Sequence, residues 1–207
     1  LPWRLTPLTE QWNQGEIPLY IGWKARQLVL LGFLTVASLP FCRFAIASHE
    51  DDCSSQWNVT GYFTPVELDY PQADQTQINI EQLGESVHSV AFLKAVKIEG
   101  WGKTKDGWYL GRFSNKWHKS KYPLNSIGKP LTTASVATDK NIIPTGSSIK
   151  IPSLPNNLKH QLYVSDDVGS AIKNTHIDIY TGEGRQAEKT TFEITGKDHT
   201  VCQVSSI

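Results

Sequence analysis

The sequence has no methionine, no C-x-x-C pair, no run of like charge and no internal repeat. Each absence excludes something. Without methionine even at position 1, residues 1–23 read as leader or upstream sequence and carry no fold argument. Without paired cysteines, and with six scattered histidines, there is no metal-ligand spacing, so no metal is expected. Twenty Lys and Arg balance twenty Asp and Glu, so no basic footprint for nucleic acid or lipid headgroups exists. The absence of repeats excludes a solenoid.

What is present begins with an export signal. Lys24-Ala25-Arg26 precedes an apolar core at 28–42, and Ala45-Ile46-Ala47 follows as a small-x-small cleavage site. The apolar run is shorter than the ~20 residues a spanning helix needs. Residues 1–47 are therefore expected to act as a signal peptide, or as an uncleaved anchor holding the protein to a membrane. Residues 48–207 are the size of one domain, expected to be monomeric and to work in the periplasm or cell envelope. They keep Cys53 and Cys202, which either pair in that oxidising compartment or remain free thiols.

Seven Trp, seven Tyr and seven Phe supply core material or sugar-stacking surfaces. WNVTGYF (57–63) reads as a strand. Residues 66–85 read as a polar surface excursion, 86–97 as a short helix, Lys105-Asp106-Gly107 as a hairpin turn and 114–130 as a loop. Six short segments then read as strands: 134–138, 147–151, 161–165, 176–180, 190–195 and 200–204. Residues 185–189 between them read as one helical turn. Closely spaced short strands with turns argue for a small barrel or sandwich.

Four blocks are distinctive: TGYFTPVE (60–67), IEGWGKTKDG (98–107), ASVATDKNIIPTGS (134–147) and DVGSAIKNTHIDIYTGEGRQA (167–187). Together they resemble the 3D domain family, named for three aspartates, and within it the catalytic part of the membrane-bound lytic murein transglycosylase A group. The family pattern D-x-G-G-A-I-K-G, a spacer, then F/I-D-I/V-Y/F is met by Asp167, Gly169, Ala171, Ile172, Lys173, Asp178 and Tyr180. Ser170 and Asn174 stand where the family has glycine. Asn tolerates left-handed backbone angles, so position 174 is a mild change.

The resemblance implies a mainly β fold: a six-stranded double-psi β-barrel over 48–207, with a loop, helix and hairpin inserted at about 66–130. It implies cleavage of peptidoglycan glycan strands between N-acetylmuramic acid and N-acetylglucosamine, leaving 1,6-anhydromuramic ends, with no organic cofactor. It makes Asp178 the catalytic acid/base and Asp167 and Asp139 its supports. Thr60, Tyr62, Trp101, Gly169 and Lys173 are candidate substrate contacts. The alternative is a non-catalytic wall-binding module on the same barrel.

The chemistry suits these residues. Most glycosidases need two carboxylates. A lytic transglycosylase manages with one, because the sugar's own C6 hydroxyl replaces water. That acid must hold a proton near neutrality, above its ordinary pKa of about 3.9. Asp178 lies between Ile177 and Ile179 on a strand, so it faces away from both. Burial and an ionised Asp167 nearby would both raise its pKa.

Overall fold

A computed structural model describes residues 51–81 and 83–204. The leader, with its apolar core at 28–42, lies outside the described residues. In chain order the elements are β1 (Asp52–Thr64), β2 (Gln75–Ile80), β3 (Gly84–Ser89), α1 (Val90–Glu99), β4 (Trp101–Lys103), β5 (Tyr109–Phe113) and β6 (Lys116–Ser120). There follow β7 (Ser135–Ala137), β8 (Ser148–Lys150), β9 (Tyr163–Asp167), β10 (His176–Glu183), α2 (Gly184–Ile194) and β11 (Gly196–Val204).

Six strands close a barrel in the order β1-β10-β7-β9-β8-β11. The β1–β10 and β7–β9 pairs are parallel and the others antiparallel. Alternation along each strand sends Val59, Val136, Ile149, Tyr163, Ile177, Ile179 and Val201 into one core, with Ile143, Ile151 and Leu154 from loops. Helix α2 is laid against this barrel. An added Cβ at Gly61 would lie 2.9 Å from Ile194 Cδ1, so glycine there lets helix and strand touch.

The segment expected to be a strand at 190–195 is the second half of α2. Its β-branched and aromatic residues favour a strand locally, but tertiary packing overrides propensity. Ala187 and Ile194, seven apart, both fall on the buried helical face, while Phe192 is 74% exposed. Thr190 and Thr195 hydroxyls are satisfied by carbonyls four residues back, which makes them acceptable in a helix.

The insertion is also more ordered than the loop, helix and hairpin expected for it. Five strands form a sheet in the order β3-β2-β6-β5-β4, and α1 covers it. Ile80, Phe92, Leu93, Val96 and Leu110 make its core. Strand β2 shows the period-2 signal: Ile78 and Ile80 turn inward while Gln77 and Asn79 stay exposed. The polar residues belong to the wet face of a strand, not to a loop. Helix α1 is capped by the Ser89 side chain and ends at Gly100, whose φ is 87°. The hairpin around Lys105-Asp106-Gly107 is present, with Lys103 opposite Tyr109. At the insertion's root the buried carboxylate of Glu67 accepts from Ser89 N and Lys105 N and lies 3.0 Å from His88 Nδ1.

Cys53 and Cys202 are directly opposite on β1 and β11 and form a disulfide across 149 positions. Closing so long a loop constrains the unfolded chain. Reduction should therefore lower unfolding stability by roughly 2–5 kcal/mol. Urea titrations with and without reductant will show this as a lower midpoint. An unchanged midpoint would contradict it.

Candidate active site

Register builds the site. Across four adjacent strands, Thr60 on β1 is opposite Asp178 on β10, Asp178 is opposite Ala137 on β7, and Ala137 is opposite Asp167 on β9. Residues opposite one another in a sheet share a face, so these four form one row. The two aspartates are separated by one strand, about 10 Å at the backbone for strands ~4.8 Å apart. Between them stands only the methyl group of Ala137, which leaves room on the floor of a cleft of about 840 Å³. Tyr62, Trp101, Asp167, Gly169 and Asp178 all line that cleft, as does Glu99 from the inserted lobe.

The two acids are held differently. Asp178 Oδ1 accepts from the Thr60 hydroxyl at 2.7 Å. Among the described residues, nothing hydrogen-bonds its Oδ2. Burial raises the Asp178 pKa above the ordinary carboxylate value. The Thr60 hydrogen bond and His176 pull it down, and the charge of Asp167 pushes it up. Asp167 is also raised, chiefly by burial, but both its oxygens are engaged: Tyr62 OH donates to Oδ2 at 2.7 Å and Ser126 N to Oδ1 at 2.8 Å. Those donors suit an ionised group. Both donors lower the cost of its charge, against the burial that raises its pKa. Tyr62 is pushed far up as a phenol, by burial and by Asp167.

Other candidates lie elsewhere. Asp139 accepts from Asn174 N and Asn141 N, which hold its carboxyl below its usual value. It sits with Lys173 in a smaller neighbouring depression, which Gly169 and Ser170 share with the main cleft. Its visible work is to tie the turn at 174 in place. Asn174 has a φ of 55°, the left-handed angle that asparagine tolerates. Gly169 is required by crowding, because a Cβ there would meet Ile172 Cγ1 at 2.6 Å. Trp101 lines the cleft from a buried position, donating from Nε1 to Leu124 O and packing on Gly111.

Two residues at the site, His176 and Glu99, have no role assigned from sequence. His176 places Nε2 3.0 Å from the Thr60 hydroxyl, on the same face of β10 as Asp178. The signal was its i, i+2 spacing from that acid. Glu99, the last residue of α1, accepts from Phe63 N at 3.2 Å, and burial, aided by Asp178 and Glu188, pushes its pKa up to about 7 against the bond from Phe63. A carboxylate at a helix C-terminus also opposes the helix dipole. Asp166 is half-buried and accepts from Asn125 and Ser135, anchoring the loop at 125–126 to β9. Among the described residues, no cluster of three or more His, Cys, Asp or Glu could hold a metal ion. No helix among them is long and apolar enough to cross a membrane.

The family model of the 3D domain matches residues 134–197, a span that includes Asp139, Asp167 and Asp178. This stretch of the chain thus matches the 3D domain model. Over 62 residues it is 47% identical to membrane-bound lytic murein transglycosylase A of Escherichia coli K12, covering 26% of this chain and 17% of that protein. Over 80 residues it is 38% identical to the homolog from Buchnera aphidicola subsp. Schizaphis graminum, covering 34% of this chain and 22% of that one. The chain therefore aligns with about a fifth of the length of these curated relatives. Its fold is similar to E. coli MltA with bound chitohexaose, at a TM-score of 0.57 and 18% identity over 73% of this chain and 72% of the other. MltA of Neisseria gonorrhoeae matches at 0.50 and 13% identity, over 73% and 72%.

Glu99 gives a pH test. Its folded pKa of about 7 lies above its ordinary 4.5, so the native state binds this proton more tightly than the unfolded chain does. Its contribution is full below the unfolded value and is lost as pH rises through the folded one. Glu99→Gln, which cannot ionise, should match the wild type near pH 4 and exceed it in urea midpoint at pH 8. Equal midpoints at pH 8 would mean Glu99 ionises normally.

Proposed function

We propose that this chain is a lytic transglycosylase that cleaves the β-1,4 bond between N-acetylmuramic acid and N-acetylglucosamine in peptidoglycan. It works at the cell envelope, to which its N-terminal apolar segment delivers or anchors it. The observation that carries the reading is Asp178: a carboxyl of raised pKa, held by Thr60 through one oxygen and open at the other, on the floor of a cleft large enough for sugar rings. The relatives' names and the chitohexaose bound to the E. coli protein support the substrate class.

The steps follow from that geometry. Asp178 enters protonated, with Thr60 fixing Oδ1 so that the proton rides on Oδ2. Oδ2 gives the proton to the glycosidic oxygen, and the C1–O bond breaks with its electron pair leaving on that oxygen. The C6 hydroxyl oxygen of the same muramic residue then bonds to C1. Its proton passes to the Asp178 carboxylate, which restores the starting acid. No water is consumed. The Thr60 hydroxyl, itself within reach of His176, stabilises the transient carboxylate. Asp167 stays ionised under its two donors and supports the positive charge that develops at C1.

Asp178→Asn should cut release of anhydromuropeptides from purified peptidoglycan by roughly 10²–10⁴-fold, the usual worth of a general acid. Wall pull-down by the variant should persist. Mass spectrometry of the soluble products is the readout. Reducing ends would indicate a hydrolase, and binding without release by the wild type would indicate the wall-binding module.

A further inference from the structure

The inserted lobe brings two cations to the cleft, Lys97 from the last turn of α1 and Arg112 from β5. Both lie over one indole: Lys97 Nζ is 6.0 Å and Arg112 Cζ 5.0 Å from the ring centroid of Trp117. Two positive charges held by one ring repel each other, so their pairing is costly without a counter-charge.

Some surface cations of this protein have one. Lys103 pairs with Glu183, Lys116 with Glu81, Lys150 with Asp51 and Arg185 with Glu188. Among the described residues, neither Lys97 nor Arg112 pairs with a carboxylate. Arg112 donates from Nη2 to Asn115, but its buried Nη1 has no acceptor. An unsatisfied donor on a charged, half-buried group is expensive. The hairpin turn beside it, Ser114-Asn115 with φ of 49° and 58°, fixes the strand that carries it. Stabilising that hairpin accounts for the Trp117 and Asn115 contacts. It does not account for a lysine and an arginine set together on a cleft wall with no anion.

The cleft's own acids are engaged elsewhere. Asp167 is held by Tyr62 and Ser126, Asp178 by Thr60, and Glu99 by Phe63 N. The charges that act on Glu99 are those of Asp178 and Glu188. None of the cleft's acids is therefore paired with Lys97 or Arg112, and the Arg112 Nη1 donor stays open.

We propose that Lys97 and Arg112 form an anion subsite for a carboxylate borne on the lactyl arm of N-acetylmuramic acid, through which the cleft selects peptidoglycan over uncharged chitin-type glycans. This rests on the peptidoglycan reading above and adds which feature of the glycan is recognised. The carboxylate has two sources with the same chemistry: the free lactyl group of a denuded strand, or a peptide stem attached to it.

The test measures binding, in the Asp178→Asn background so that turnover is slow against the titration. Three hexasaccharides are compared by calorimetry at low salt: chitohexaose, a denuded peptidoglycan strand and a stem-bearing one. A charge-assisted hydrogen bond is worth about tenfold or more in affinity. At least one carboxylate-bearing strand should therefore bind about tenfold tighter than chitohexaose, and which one does identifies the source. Adding Lys97→Gln and Arg112→Gln should reduce that advantage to under about twofold, leaving chitohexaose affinity unchanged. Lys97→Gln alone, at an exposed position, should remove part of it without a folding risk. Equal affinities in the parent, an advantage that survives both substitutions, or no binding of any strand would overturn the subsite. Cleavage plays no part in this readout, so a lack of anhydro products would defeat the enzymatic reading while leaving the subsite standing.

Discussion

Strand β1 runs parallel to β10 with Thr60 opposite Asp178, and the site's other groups take their places from that register. The side-chain period of a strand is two, so a slip of one residue would exchange every inward group for an outward one. Ile177 and Ile179 would then leave the core and Asp178 would enter it, an arrangement the barrel cannot tolerate without neutralising the acid. The hydrophobic core is thus what holds the carboxyl at the cleft. Downstream, β7 and β9 continue the row through Ala137 to Asp167, and α2 buttresses β1 from outside through Gly61.

Within that frame, three carboxyl groups share one cleft and are set apart by their donors. Asp167 has a phenol and a backbone amide on its two oxygens, Asp178 has one hydroxyl on one oxygen, and Glu99 has one backbone amide. The more donors a carboxylate holds, the better its charge is tolerated. The ordering leaves Asp178 and Glu99 able to carry protons and gives Asp167 reason to stay charged. The inserted lobe contributes to both ends of the balance, with Glu99 near Asp178 and the Lys97–Arg112 pair on the wall it builds.

Much of this was readable in the chain. The alternation in HIDIY showed Asp178 opposite to its isoleucines, and the short strands with turns between them pointed to a barrel or a sandwich, which the family resemblance narrowed to a barrel. The clustering of Thr60 and Tyr62 with two aspartates more than a hundred positions away followed from family motifs, not from local pattern. Three things were hidden for physical reasons. Helix α2 uses threonines and a phenylalanine that favour strands locally, and only its contact with Gly61 and β10 makes it helical. The inserted sheet has polar outer faces, so QTQINI reads as loop until its isoleucine spacing is noticed. Glu99 lies past the helix expected at 86–97 and looks like an ordinary solvated residue. Its burial depends on β1 passing alongside, a contact that no window of sequence contains.

The central claim is that the fold keeps a proton on Asp178 by partial burial beside a charged neighbour. Carbon-13 titration of the aspartate carboxyls, with Asp178 assigned by its absence in the asparagine variant, reads that proton directly. The account predicts a midpoint clearly above the ordinary value of about 3.9. A midpoint at or below it would leave the acid ionised in the cleft and contradict the account.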